Sequence, residues 1–320
     1  MYFVRRILFA VPLLLVISLL AFMLVKAMPG GPFDRERAHA SPEVERNLRA
    51  AYHLDEPGWK QYLRYLGLLW ERSPDGSLHH VSGGLLNGDF GKSTKYRNHT
   101  VNDIIAQGLP VSLLLGAVAF GFAMGLGLPI GFWTAAKRGR WEDYIGSFFT
   151  ILVVCIPAFV IAPMLILGFA LKWRLLPVGL WETPWHVILP SAGLGMMFVG
   201  KIARIFREGM LQAAQSEFVT AARAKGLSEY ALLLRHAVRI GVLPVVSYAG
   251  PMLADLLTGS FVIESIFQIP GIGVFLVNSS LNLDAPLIVG LALLYAMLLI
   301  VLNLAVDFAY TLLDPRVKYE

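Results

Sequence analysis

Six stretches of this chain run almost without charge for about the length a membrane-crossing helix needs. They fall at approximately 7–28, 110–135, 144–171, 187–203, 242–263 and 286–311. At 1.5 Å per residue, each comes near or exceeds the roughly 30 Å of bilayer hydrocarbon, and the fourth is the shortest. The competing explanation is a soluble α/β enzyme with buried strands. Its apolar runs would be about four to eight residues long, not about twenty. Composition agrees with the membrane reading: 56% of the 320 residues are hydrophobic and 15% are charged, against about half apolar and a quarter charged in soluble domains.

The formal charge of +5 does not point to nucleic acid, because the basic residues cluster in short segments between the spans. Arg5 and Arg6 precede the first span. Lys137, Arg138 and Arg140 lie between the second and third. Lys201, Arg204, Arg207, Arg223, Lys225, Arg235 and Arg239 lie between the fourth and fifth, and Arg316 and Lys318 follow the sixth. With six crossings all four groups share one side, and the positive-inside bias makes that side the cytoplasm. The opposite short loops carry Lys172 and Arg174, and no basic residue between Glu264 and Pro286. The run from Ile7 to Val25 is longer than a signal-peptide core, so it is expected to be a retained first helix. The single cysteine, Cys155, lies inside an apolar span. It is expected to be a buried, inert thiol.

Residues 29–107 differ from the rest: polar, with ten Lys/Arg balanced by ten Asp/Glu. Within 42–70, apolar residues recur at helical spacing. Pro42 and Glu43 form a helix start, Val44, Leu48, Ala51 and Tyr52 fall on one face, and Tyr62, Leu66 and Leu69 on a second. The Gly-, Ser- and His-rich stretch 73–88 reads as loop. This insertion is expected to be a small extracytoplasmic helical cap.

The segment Ser216–Pro244, SEFVTAARAKGLSEYALLLRHAVRIGVLP, predicts a short helix, a sharp turn and a second helix feeding the fifth span. Ser216 suits an N-cap, and Glu217 suits the positive end of the helix. Phe218, Ala221, Ala222 and Lys225 share a face. Gly226 supplies the left-handed position beyond the helix, with Leu227 beside it, and the second helix starts near Ser228. Small residues on the short helix would let another protein approach its backbone. An amphipathic loop lying on lipid headgroups is the alternative.

Thr220-Ala221-Ala222, followed by Gly226 and then by Leu243-Pro244, resembles the "EAA" loop of ATP-binding-cassette importer permeases. In that family the loop docks into a cleft of the ATPase subunit. Thr220 stands where the family name puts Glu, and the gap from Gly226 to Pro244 is longer than the general pattern. Both departures are usual in the peptide/nickel branch. The opening RRILFAVPLLLVISLLAFMLVKAMPGGPFDRER, then AAYHLDEP, GDFGKS, LLRHAV, LPVVSY, PGIG and the terminal DPRVKY, extend the likeness to B-type oligopeptide permeases over almost the whole chain. Dipeptide and nickel permeases share much of this pattern.

The resemblance implies an all-α integral membrane protein of six transmembrane helices, with the type I importer permease fold and an extracytoplasmic helical insertion after the first. The expected division is a first helix 1–28, the insertion 29–107, a core 108–312 holding a cytoplasmic coupling loop 201–241, and a tail 313–320. Glu217, Phe218, Thr220, Ala221, Ala222, Arg223, Lys225 and Gly226 would couple to the ATPase. The implied partners are a homologous C-type permease, two ATPase subunits, an extracytoplasmic peptide-binding protein and membrane lipids, with no nucleic acid. The chain would hold no cofactor of its own, and ATP and Mg would be bound by the ATPase subunits. It would lie in the bacterial cytoplasmic membrane with both termini inside.

Other features divide between functional and structural readings. Gly91-Lys92-Ser93 lacks the first glycine of a phosphate-binding loop, since Leu86 occupies that position. His79-His80 reads as loop rather than metal site. Gly116, Gly121, Gly125 and Gly127 permit close helix packing in the second span, or are simply tolerated there. Pro157 and Pro163 are expected to kink the third span. The turn with Pro270, Gly271, Ile272 and Gly273 reads as part of an external gate, or as an ordinary loop. Asp255, mid-span in the fifth helix, is costly in lipid and should face protein or water, as a pathway residue or a structural one. Asn303 and Asp307 stand at i and i+4 in the sixth.

Two other function classes fit these residues less well. A membrane-embedded enzyme needs a nucleophile and base within the spans, and the span-proximal His186 has no Ser at a motif position. A channel or ion-coupled transporter has no use for the segment TAARAKGL at 220–227.

Overall fold

The computed structural model describes residues 2–27, 43, 46–47, 50, 53, 55–72, 78–80, 83–96, 98–257 and 261–313. Two structural units divide the chain. One takes in Phe3–Leu109 and Val274–Met297, the other Pro110–Gly273 and Leu298–Glu320.

In the first unit, α1 (Tyr2–Ala27) is apolar all round. Leu8, Phe9, Val16, Leu20 and Leu24 are more than half exposed, a surface compatible only with an apolar surrounding. Helix α2 (Gly58–Leu66) packs on it. The Tyr62 and Ser18 hydroxyls are 2.7 Å apart, and the Phe22 and Tyr62 rings lie 5.4 Å centre to centre. A cleft of about 500 Å³ between Leu19, Phe22 and Lys26 on α1 and Trp59, Tyr62 and Leu63 on α2 runs beside this contact. Of the expected second face, Tyr62 and Leu66 lie on α2, but the helix ends at the left-handed Gly67 (φ +78°), so Leu69 follows off the helix; Leu66 and Leu69 are both buried. Val44, Leu48, Ala51 and Tyr52 lie outside the described residues.

The stretch 73–88 is not simply loop. Strand β1 (Trp70–Arg72) pairs antiparallel with β2 (Leu78–His80) in the register Trp70↔His80, and a 3₁₀ turn follows at Leu85–Asn87. The unread signal is Asp75-Gly76, a hairpin-turn dipeptide midway between the strands. GDFGKS at 88–93 is a structural staple. The buried Ser93 hydroxyl donates to the buried Asp284 carboxylate, whose Oδ1 accepts from the Thr94 N–H (3.1 Å), and Ser93 Oγ accepts from the Tyr96 N–H (2.8 Å).

Helix α3 (Val101–Ala136) begins at Val101, not near residue 110. Its N-terminus is made by Thr100 and Asp103: the Asp103 carboxylate accepts from the Thr100 N–H, and Thr100 Oγ1 accepts from the Asp103 N–H. At about 54 Å it is longer than a bilayer's hydrocarbon needs.

In the second unit, the expected third span is two helices, α4 (Trp141–Cys155) and α5 (Ala158–Lys172), bent by 103°. Pro157 lacks an N–H, and it forces Ile156 into an extended conformation (φ −82°, ψ 121°), so α4 must end there. Pro163 is absorbed inside α5, whose last turns, Ile166–Lys172, are π-helical. Cys155, at the end of α4, is exposed rather than buried.

The hub of this unit is α6 (Ile188–Ala214), with Phe198, Ile202, Phe206 and Met210 all buried. Apolar side chains gain little by leaving lipid, so helix packing here rests on close approach. Glycines provide it. A Cβ on Gly195 would lie 2.7 Å from the Ala119 carbonyl oxygen, and one on Gly209 would lie 2.6 Å from that of Gly241. The four glycines of the second expected span divide. A Cβ on Gly116 would lie 2.5 Å from the Leu256 carbonyl oxygen and one on Gly127 would lie 2.8 Å from the Ile202 side chain, whereas Gly121 and Gly125 face open space.

The chain continues through α7 (Glu217–Ala224), α8 (Glu229–Gly241, with a π turn at Leu233–Ala237), α9 (Leu243–Leu257), α10 (Phe261–Phe267), α11 (Ile272–Asn282) and α12 (Ala285–Leu313). Helices α8 and α9 meet at 46°, and α10 and α11 at 103°. Among the described residues, four stretches are each long and apolar enough to cross a membrane: Leu8–Ala27, Val101–Ala136, Pro184–Ala214 and Ala285–Ala305. The three bent pairs pass the same test jointly. Asn303 and Asp307 sit half-buried on α12.

Candidate docking helix and gate turn

The candidate docking segment hangs from the C-terminal end of α6. Two interactions hold that end. Arg207 makes a bidentate ion pair with the buried Asp143 at the start of α4 (2.8 Å from each guanidinium nitrogen), and Asp143 also accepts from the Gly139 N–H (3.1 Å). Gly209 meets the backbone of Gly241. The chain then turns at Gln215-Ser216 into α7.

Ser216 occupies the cap position by backbone (φ −70°, ψ 151°), but its side chain does not cap α7. Its hydroxyl donates back to the Ala213 carbonyl (2.6 Å), tying α7 to α6. Val219 is fully buried and anchors α7 to the unit. Glu217, Thr220, Ala221, Arg223 and Lys225 are exposed, and Ala222 is half-buried. The Phe218 side chain lies outside the described residues. Gly226 is left-handed (φ +85°), as its sequence position requires, with open space around its α-carbon. Across this turn Arg223 pairs with Glu229 (2.5 and 3.1 Å), which the spacing did not disclose. The Ser228 hydroxyl accepts from the Ala231 N–H and caps α8.

Near the N-terminal end of α6, Gly193 faces Ile263 of α10, 3.6 Å from an added Cβ. Helices α10 and α11 flank the turn 268–271. The Ile269 N–H donates to the Glu264 carbonyl (2.8 Å), and Gln268 is left-handed (φ +54°). Gly271, Ile272 and Gly273 are buried, and Pro270 is exposed. The Phe267 carbonyl accepts from the Leu180 N–H (2.8 Å) of the loop after α5. Sequence reasoning singled out this turn but missed the residue beneath it. Glu264 is fully buried and accepts from the Ser112 hydroxyl (2.9 Å), which itself accepts from the Ile272 N–H (2.9 Å). The available signal was an acidic residue inside an apolar run.

Asp255 lies on the exposed face of α9, in line with Ser247 and Pro251. The face behind it, Met252, Ala254 and Leu256, is buried. Within this chain, then, the carboxylate is not packed into the helix bundle. His186 is also placed: its Nδ1 lies 2.8 Å from the Thr183 hydroxyl and 3.1 Å from the Thr183 N–H, completing a capping box ahead of α6.

Residues 127–319 match the family described as "Binding-protein-dependent transport system inner membrane component", and residues 1–116 match its N-terminal companion. The chain belongs to this family. The permease is thus a multi-pass inner-membrane protein with an all-α permease fold. It is 42% identical over 317 residues to the oligopeptide transport system permease protein OppB of Haemophilus influenzae, with 98% of each chain covered. It is 39% identical to OppB of Salmonella typhimurium (99% of each covered) and 38% identical to the dipeptide transport system permease protein DppB of Bacillus subtilis (99% and 97% covered). Among solved structures, the MetNI methionine ABC transporter in inward-facing form matches 66% of this chain and 96% of its own, at 16% identity and a TM-score of 0.53. That likeness concerns the fold.

Proposed function

We propose that this permease forms half of the translocation pathway of an ATP-driven oligopeptide importer and takes its power stroke through α7. The observation that carries the reading is the geometry of α7. Among its described side chains it is held by one buried residue, Val219, and by the Ser216–Ala213 bond, and it presents small and charged side chains outward. A helix anchored on one side with Ala221 and Thr220 exposed is shaped to enter a cleft in another protein. In the importer reading, Glu217, Phe218, Thr220, Ala221, Ala222, Arg223, Lys225 and Gly226 engage an ATPase subunit. ATP and Mg are bound there and not in this chain.

Helix α6 is the transmission element. Its 27 residues span about 40 Å. It carries α7 at one end and touches α10, which flanks the gate turn, near the other. A displacement of α7 therefore reaches Pro270, Gly271, Ile272 and Gly273 through packed helix rather than through loop. Asp255 faces out of this chain's bundle, toward the surface a homologous C-type permease would cover, and would line the shared pathway. The exposed apolar faces of α1 and α4 are given to lipid.

The topology in this reading is N-inside and C-inside with six crossings. The pair α10–α11 is re-entrant, and residues 29–107 lie outside to receive a peptide-binding protein. The OppB relatives favour oligopeptides, and the DppB relative supports dipeptides as the second reading. Co-purification with the two ATPase subunits and the partner permease, followed by ATPase stimulation with binding protein loaded with peptides of graded length, tests it. Stimulation that peaks at two residues assigns dipeptides, and no stimulation at any length removes the peptide reading.

A further inference from the structure

A buried carboxylate is an expensive way to hold a static turn. An apolar side chain of similar volume serves as well or better, so its presence calls for a use. Glu264 is fully buried and lies directly beneath the gate turn. Its carboxylate fills the space that side chains at two neighbouring positions would need. A Cβ on Gly271 would overlap the Glu264 carboxyl carbon and come within 2.6 Å of Ser112 Oγ, and one on Gly273 would lie 2.9 Å from Glu264 Oε2. The two glycines and the glutamate are thus one design: the turn lacks side chains where the carboxylate sits.

The Ser112 hydroxyl is the junction. Its hydrogen goes to Glu264 Oε1 and its lone pair takes the Ile272 N–H, each at 2.9 Å. One oxygen atom on α3 therefore ties α10 to the first residue of α11. Because both bonds converge on that atom, removing or displacing it weakens the hold of α3 on α10 and on α11 together.

We propose that Glu264, acting through Ser112, is the positioning residue of the gate turn, a latch that holds 268–273 in place until the transport cycle releases it. The proposal rests on the importer reading for what the latch controls, but not for its existence. The test uses the full importer complex in lipid nanodiscs, unaltered and with Ser112→Ala, Glu264→Leu or Glu264→Gln. Ser112→Ala removes one oxygen and adds no volume, so the complex assembles. Glu264→Gln keeps an oxygen that accepts from Ser112.

The first readout is amide exchange at 268–273. Ser112→Ala and Glu264→Leu are expected to exchange about ten-fold faster, the effect of leaving a buried donor unsatisfied, and Glu264→Gln to match the unaltered complex. The second is the ratio of ATPase rate with peptide-loaded binding protein to the rate without it. Loss of folded complex would lower both rates together. A released latch raises the basal rate, so the ratio is expected to fall about ten-fold in the first two variants and less than about two-fold in Glu264→Gln. Unchanged exchange in Ser112→Ala overturns the latch. So does a ratio that stays within two-fold in both Ser112→Ala and Glu264→Leu, or equal damage by Gln and Leu. If the unaltered complex takes up no labelled peptide, the importer reading fails, while the exchange result still decides whether the latch exists.

Discussion

At the scale of single residues, Gly226 shows how a backbone requirement differs from a packing one. Nothing lies within 4 Å of where its Cβ would be, so only its φ of +85° penalises a side chain. A β-carbon there costs roughly 1–2 kcal/mol locally. Gly226→Val is expected to insert normally and to lose transport, because the turn that aims α7 is altered. Peptide uptake at the native rate by that variant would refute the coupling role. Glu56 is a second case. Burial pushes its pKa up, but hydrogen bonds from Arg64 and Lys60 (2.8 and 2.9 Å), together with their charges, outweigh this and hold it below the ordinary value of 4.5. A depressed carboxylate pKa stabilises the fold above the unfolded value, and that stabilisation disappears as pH falls through the folded one. The contribution of Glu56 to the packing of α2 is therefore expected to be complete at pH 7 and to be lost progressively below about pH 4.5, read as faster amide exchange after correction for intrinsic rates. Glu56→Gln should show the loosened state at both pH values. Asp255 is decided by what it faces. Being exposed on α9, it is expected to tolerate Asp255→Asn with unchanged melting, but to shift the preference between peptides with free and blocked N-termini. Lower thermal stability with an unchanged preference would make it structural instead.

At the scale of elements, the Asp143–Arg207 pair joins the N-terminus of α4 to the end of α6 from which α7 hangs. The pair is mostly but not wholly buried, so breaking it falls between the surface and buried limits, at about 2 kcal/mol. Arg207→Ala is expected to lower the melting temperature of the detergent-solubilised complex, and Asp143→Ala,Arg207→Ala to recover part of the loss, because the second change removes the stranded carboxylate. A double variant that loses as much as the two single losses added together would show that the ends are not held through this pair. Sequence reading located the turn at Pro157 but expected a kink. A 103° reversal depends on what receives α5. That helix packs back on α6 through contacts such as Ala162 with Gly193, and no local rule encodes such a partner.

At the scale of the whole molecule, topology is the claim to test. Cys155 is exposed, so labelling must begin from a Cys155→Ser background, which the sequence alone did not call for. In that background Ser77→Cys is expected to react with an impermeant thiol reagent from outside, and Ser228→Cys only after the membrane is opened. The reverse pattern would invert the orientation. The cap can be probed more narrowly than by removing 73–88, since that cut would take out β2 and its pairing with β1. Replacing 73–77 alone is expected to reduce stimulation by the binding protein while leaving complex assembly intact.

The sequence alone determined what periodicity, length and charge can encode: the apolar stretches, the clustering of basic residues between them, the helix–glycine–helix at 216–228 and the turn at 268–273. These are one-dimensional properties, because a bilayer imposes a single length and a single polarity change on every span. Tertiary structure decided which groups meet across distant stretches of chain. Ser112 with Glu264, Ser93 with Asp284 and Asp143 with Arg207 are separated by 152, 191 and 64 residues, and no segment by itself names the partner its polar group will meet. The glycines make the same point. Gly116 and Gly121 look alike in the chain, yet one is pressed on the Leu256 carbonyl and the other faces open space, because close packing is a property of two helices and the sequence of one states only that it is possible.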